Sequence, residues 1–240
     1  MTELLCLKDS YCRECDATVS KVDGGGKKVF VDRTVFYPQG GGQPSDTGKI
    51  IRISDNAEFR VEKVAKESGE AAHYLDKEGL AVGDSVKLVL DWERRHKIMR
   101  MHTAAHVLGF VMFERGVQIT GNQLGDALTR FDFNVETGLQ REAIEAGVAK
   151  ANELLRSGAE VKVFELPREE AFKIPGIVKL ADKLPPAIAV LRIVQIGDFD
   201  VQADGGTHVR NVSEIGQLHI ERIENKGAAN KRVYLSLSNP

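Results

Sequence analysis

No run of about 18 apolar residues occurs in this 240-residue chain, so no membrane-spanning helix is expected. The first residues, Met-Thr-Glu-Leu-Leu-Cys-Leu-Lys-Asp, bring in an acid early and lack a long apolar core. That pattern excludes a secretory signal peptide and makes the cytoplasm the expected location. Cysteine is scarce, and all three residues (Cys6, Cys12, Cys15) crowd into the first fifteen. Cys12-Arg-Glu-Cys15 has zinc-knuckle spacing, but no second Cys or His pair follows closely. Plain strand cysteines in a reducing compartment are the expectation. Excess charge is also absent. A net charge of −2 excludes a protein held to nucleic acid by phosphate contacts alone, though a local basic patch stays open. Internal repeats and low-complexity tracts are lacking. The one glycine-rich stretch has no P-loop lysine, and Thr103 stands where an HExxH protease needs its glutamate.

What is present is ordinary globular material, 42% hydrophobic and 28% charged, enough for one large domain or two modest ones. Residues 1–90 are rich in glycine and β-formers. Ala17–Val22, Lys28–Val31, Gly48–Ile53, Phe59–Val64 and Ser85–Leu90 read as short strands between turn signals, predicting a small β-barrel. The texture changes at Asp91. Trp92 to about Glu114 has helical apolar spacing and stops at Gly116. Leu128–Phe133 reads as a strand, Gln140–Ser157 as a helix, and Glu160–Leu166 as a strand closed by Pro167. Ala187–Ile196 reads as a buried strand, and Gln217–Ile223 with Arg232–Leu237 as a closing hairpin. The expected fold is therefore α+β: a barrel over residues 1–90, then a domain over 91–240 with helices on one mainly antiparallel sheet.

The helix carries the first candidate chemistry. Four residues of α-helix turn the chain about 400° and advance it about 6 Å, which stacks His102 and His106 on one face. Two imidazoles are half a site, because zinc takes three or four protein ligands. Val201-Gln-Ala-Asp-Gly-Gly-Thr-His-Val209 offers Asp204 and His208 at the same spacing, across a Gly-Gly loop expected to let the backbone fold tightly. Together the four make an N/O set that suits one zinc ion. Arg94, Arg95, Lys97 and Arg100, with His96, form a basic cluster where an anionic substrate could approach. His73 and His219 read as structural. Phe36-Tyr-Pro-Gln-Gly-Gly-Gly-Gln-Pro-Ser-Asp-Thr-Gly48 is either a tight barrel hairpin or a loop that brings N–H groups to a ligand.

Phe36–Gly48, His102-Thr-Ala-Ala-His106, Arg130-Phe-Asp-Phe133 and Gly205-Gly-Thr-His208 followed by Glu214-Ile-Gly216 occur in the order seen in the editing portion of alanyl-tRNA synthetases. The chain resembles the free-standing AlaX proteins of medium length, over nearly all its residues. The resemblance implies a translation-protein-like barrel followed by a zinc-binding editing domain. It implies a deacylase that hydrolyses the ester of mischarged Ser-tRNA(Ala), and perhaps Gly-tRNA(Ala), with no ATP requirement. No stretch resembles a class II aminoacylation core, so charging of tRNA is not expected.

Carried over residue by residue, His102, His106 and His208 match zinc ligands. Asp204 stands where many relatives have cysteine, and a carboxylate is a harder, weaker ligand for zinc than a thiolate. Thr120 aligns with a threonine that relatives use to recognise the serine hydroxyl; Thr120, Gln43 or the metal is the expected partner for it, and the turn at Gly40, Gly41 and Gly42 is expected at the substrate. Arg94, Arg95, Lys97 and Arg100 are the expected tRNA contacts. Two alternatives stand beside this reading: a tRNA-acceptor or metal-binding module whose catalysis has decayed, and threonyl-type editing. Monomer and homodimer are both compatible with the sequence.

Overall fold

The computed structural model describes residues 1–134, 140–174, 177, 189–227 and 230–238. The first two residues of the strand expected from Ala187 lie outside these. Two compact units divide the chain, Met1–Met99 and Arg100–Pro240. The division falls within one long helix, eight residues past the change of texture at Asp91. Among the described residues no helix is long and apolar enough to cross a membrane.

In the first unit, β1 (Glu3–Leu4) pairs in parallel with β4 (Arg33–Thr34), and α1 (Leu5–Lys8) is a single turn. The remaining strands are β2 (Glu14–Asp23), β3 (Lys28–Val31), β5 (Gly48–Arg52), β6 (Glu58–Glu67), β7 (Glu70–Leu75) and β8 (Ser85–Leu90). They close into a six-stranded antiparallel barrel in the order β2-β3-β7-β6-β5-β8. Closure pairs every strand on both sides and leaves no open edge. Period-two patterning fills the interior. Ala17 and Val19 point inward from β2, and Phe59 and Val61 from β6. A register shift between Val61 and Lys63 then resets the phase so that Val64 also faces the core.

Strand β7 escaped the sequence reading. Glu-Ala-Ala-His-Tyr-Leu contains no β-branched residue, so pairing with β3 and β6 decides its conformation rather than local preference. His73 on β7 is fully buried and structural. Its Nε2 lies 2.9 Å from Thr34 Oγ1 and its Nδ1 3.2 Å from Val29 O.

The second unit holds β9 (Gln118–Gln123), β10 (Thr129–Asn134), α3 (Gln140–Leu155), β11 (Val161–Pro167), α4 (Arg168–Ala171), β12 (Val190–Ile196), β13 (Asp200–Ala203), β14 (Leu218–Asn225) and β15 (Asn230–Leu237). In place of the single sheet expected there are two, both antiparallel. One has the order β14-β15-β10-β9 and the other β11-β12-β13. The cause is β13. Asp-Val-Gln-Ala carries too little β signal to read as a strand, yet it pairs with β12 and completes a sheet separate from the closing hairpin. Ile144, Val148, Ala151 and Leu155 form the buried stripe of α3. Asn152 ties that helix to β14, donating to Leu218 O at 2.9 Å and accepting from Leu218 N at 2.8 Å.

Burial pushes the His73 imidazole down to about 4, against about 6.5 in an unfolded chain. The folded barrel therefore resists a proton that the unfolded chain accepts. Its stability is complete above about pH 6.5 and falls towards pH 4 by about 1.4 kcal/mol per unit, roughly 3 kcal/mol in all. Urea unfolding of the barrel at pH 7.5 and 4.5 should show this loss in the wild type and much less of it in His73→Gln. Equal pH dependence in the two proteins would refute the assignment.

Candidate metal centre

Helix α2 (Trp92–Glu114) is built to hold its side chains at fixed spacing. Asp91 caps it, accepting from Arg94 N at 3.2 Å. Gly116, at φ 74°, ends it in a Schellman motif, with Gly116 N on Phe113 O at 2.9 Å and Val117 N on Met112 O at 2.9 Å. Ile98, Met101, Ala105, Leu108 and Met112 are buried, as the apolar spacing predicts. His102 and His106 follow one another up the same face with ring centroids 5.2 Å apart.

The loop after β13 brings the other two side chains. Neither Gly205 nor Gly206 has a positive φ, and a Cβ on Gly205 would meet open space. The tight fold expected to need glycine comes instead from Asp204, whose Oδ1 accepts from Gly206 N at 2.6 Å. Asp204 Oδ1 lies 3.0 Å from His208 Nε2. Its Oδ2 lies 3.6 Å from His102 Nε2 and 3.7 Å from His106 Nε2. One donor atom from each of the four residues falls within 4.8 Å of all the others. His102, His106 and His208 are buried, and the Asp204 side chain keeps 21% exposure. Three imidazole nitrogens and one carboxylate oxygen, converging with one side left to solvent, fit the donor set of a divalent cation such as zinc.

Burial and the two neighbouring carboxylates set the charge on these side chains in opposite directions. Burial holds His102 well below its ordinary pKa and pushes His208 down to about 4. Burial also opposes charge on His106, but hydrogen bonds to Asp200 and Asp204 outweigh it and lift that imidazole to about 9. Burial disfavours ionised Asp204 too, and the surrounding histidines overcome it, so the carboxyl lies well below its ordinary range.

Two side chains that sequence reasoning did not assign to the site support it. Thr103 Oγ1 lies 3.1 Å from His208 Nδ1 and accepts from Val209 N at 3.3 Å. Asp200 Oδ2 lies 3.3 Å from His106 Nδ1. Thr103 sits beside His102 in sequence, at the position that an HExxH motif gives to glutamate. Asp200 comes four residues after the almost continuous apolar run, with Asp198 nearer to it, so its charge alone does not single it out.

The other candidates are described each within its own unit. Gly40 and Gln43 exchange backbone hydrogen bonds of 3.1 and 2.9 Å, with Gly41 at φ 58° and Gly42 at φ 85°. This is a tight hairpin turn whose two central residues both need positive φ. Gln43 is buried within that first unit. Thr120 is exposed on β9, its hydroxyl donating to Asp132 O at 3.2 Å.

The basic cluster separates. Arg95 is fully buried, its guanidinium paired with Asp46 and donating to Ser10 O at 2.9 Å and Val35 O at 2.8 Å. Arg100 is buried and donates through Nε to Ile215 O at 3.0 Å. Arg94 is half-buried and reaches Ser45 O at 2.8 Å, which leaves Lys97 as the exposed member of the four. Burial thus takes Arg95 and Arg100 out of the expected tRNA-contacting set. His96 stacks on Trp92 with centroids 5.4 Å apart, and His219 is exposed on the edge strand β14.

Comparison with known proteins bears on this centre. The family described as threonyl and alanyl tRNA synthetase second additional domain matches residues 191–234, which include Asp204 and His208. The family described as class II (A) tRNA synthetases matches residues 10–94. That second match falls on the barrel unit. The chain is 41% identical to the alanyl-tRNA editing protein AlaX-M of Saccharolobus solfataricus, over 99% of both chains. It is 45% identical to the alanyl-tRNA editing protein AlaX-M of Methanosarcina barkeri, again over 99% of both. It is also 34% identical to an alanine–tRNA ligase of Saccharolobus islandicus, over 93% of this chain and 25% of that protein.

Zinc retained after dialysis against a chelator, measured by elemental analysis, should follow the chemistry of position 204. Asp204→Cys is expected to hold the ion more firmly than the wild type, and Asp204→Ala to lose it first. Equal retention by Asp204→Ala and the wild type would remove the carboxylate from the donor set.

Proposed function

The chain belongs to the alanyl-tRNA editing protein family, and on that premise we propose that it deacylates Ser-tRNA(Ala), and Gly-tRNA(Ala) as a second substrate. In this reading it works in the cytoplasm and holds one zinc ion on His102, His106, Asp204 and His208. The observation that carries the proposal is the convergence of those four donors within 4.8 Å of one another. The bond to be cut is an ester to the terminal ribose, whose hydrolysis builds negative charge on the carbonyl oxygen. When bound, a zinc ion would supply a Lewis acid and an anchor for the amino or hydroxyl group of the substrate.

The protein's own part is positional. Asp200 and Thr103 take the Nδ1 sides of His106 and His208, which turns both Nε2 atoms towards Asp204. Burial of the three rings withholds bulk water from all but the Asp204 side. No phosphoryl transfer enters this chemistry, so ATP is not required.

Selectivity rests on one hydroxyl. A polar site left unpaired by alanine can discriminate by roughly 10⁴, whereas a hydrophobic pocket cannot. Thr120, Gln43 or the bound ion is the proposed partner for that hydroxyl, and Arg94 and Lys97 are the proposed phosphate contacts.

A panel of Ser-, Gly- and Ala-tRNA(Ala) tests the reading directly. The wild type is expected to release serine and spare alanine, and His106→Ala to lose at least about a hundredfold in rate. Thr120→Val should narrow the gap between serine and alanine more than it slows hydrolysis overall. Equal serine release by His106→Ala and the wild type would refute the metal's role. A wild type that binds tRNA and zinc but leaves every ester intact would favour the binding-module alternative.

A further inference from the structure

We propose that Asp200 is a positioning residue that supplies the metal centre with its second negative charge, offsetting at one imidazole's remove what Asp204 alone leaves uncompensated. This inference rests on the reading that the four converging side chains hold a divalent cation. Three neutral imidazoles and one carboxylate would leave such an ion with net positive charge in a largely buried place. Buried charge is costly unless it is paired.

Asp200 has the placement to correct it. It opens β13, is 2% exposed, and sets Oδ2 3.3 Å from His106 Nδ1. Gln202, two residues along the same strand and so on the same face, donates through Nε2 to both carboxylate oxygens at 2.9 and 2.8 Å. The chain Gln202–Asp200–His106 thus fixes the carboxylate from outside and the imidazole from behind. Thr103 does the corresponding work for His208 through a neutral hydroxyl. The two supports differ in charge, and only Asp200 is an anion.

The test is zinc affinity of the full chain, measured by competition with a chromogenic chelator. Absorption of the cobalt(II)-substituted protein serves as a second readout. Asp200→Asn keeps an acceptor oxygen for His106 and removes the charge. It should weaken zinc binding about tenfold and alter the cobalt spectrum, and Asp200→Ala should weaken binding by up to about a hundredfold. Asn equal to the wild type with Ala weakened would reduce Asp200 to a neutral acceptor and overturn the charge argument. Both variants equal to the wild type would overturn the whole proposal. If the Asp200 variants do not fold, Gln202→Leu is the measure. It frees the carboxylate from outside and should weaken zinc binding several-fold, and no change would count against the proposal. A wild type that takes up no zinc overturns both this inference and the metal reading. A wild type that binds zinc without deacylating overturns only the proposed function.

Discussion

Three imidazoles and a carboxylate share a space in which every donor lies within 4.8 Å of the rest and little water enters. That crowding is the constraint to which the second unit answers. Three positive rings could not coexist there. Burial drives His102 and His208 towards neutrality, while Asp200 and Asp204 keep a proton on His106. The side chains by themselves therefore hold one cationic ring, His106, between two carboxylates. The convergence of four metal-ligating side chains is the physical reason to read the cluster as a site rather than as packing.

The scaffolding around the cluster follows from that need. A helix supplies two of the four donors with no loop between them, so their separation is set by backbone hydrogen bonds. A short strand supplies the other two through a loop whose bend is fixed by Asp204 itself. β13 contributes twice, because Asp200 at its start and Asp204 just after its end flank the same ring, His106, from opposite sides. A strand of four residues does this economically. Residues 200 and 202 share a face, so Gln202 can hold Asp200 while the chain continues towards Asp204.

Much of this was legible in the sequence, and what was not had physical causes. The helix over Trp92–Glu114 could be read because its apolar spacing and terminal glycine act locally. The four donors could be read because equal spacings on a helix and a loop are an unusual coincidence. The strands of the barrel with period-two alternation were visible, and β7 was not, because Ala71, Ala72 and His73 become strand only through their neighbours. β13 was missed for the same reason, and with it the division into two sheets. Asp200 and Thr103 were out of reach in a different way. A supporting side chain has no motif of its own, and its role exists only once the ring it holds has been placed.

The arginines show where a charge run misleads. Arg94, Arg95, Lys97 and Arg100 crowd seven positions of one helix, which on the page reads as a basic face for a polyanion. The helix turns about 100° per residue, so these four cannot all face the same way. Arg95 points into the first unit, where its planar fork meets Asp46 and two carbonyl oxygens. Asp46 belongs to the glycine-rich segment and also accepts from Tyr37 N at 2.5 Å. Arg95 is therefore a clamp on the hairpin that carries Gly40–Gln43. Removing it would strand a buried carboxylate, a costlier loss than that of a surface phosphate contact. Arg100 is spent within the second unit in the same manner, on Ile215 O. A guanidinium has five donors, and a buried one must satisfy them close at hand. The run of cations thus encodes local folding at two of its positions, Arg95 and Arg100, and leaves Lys97 exposed.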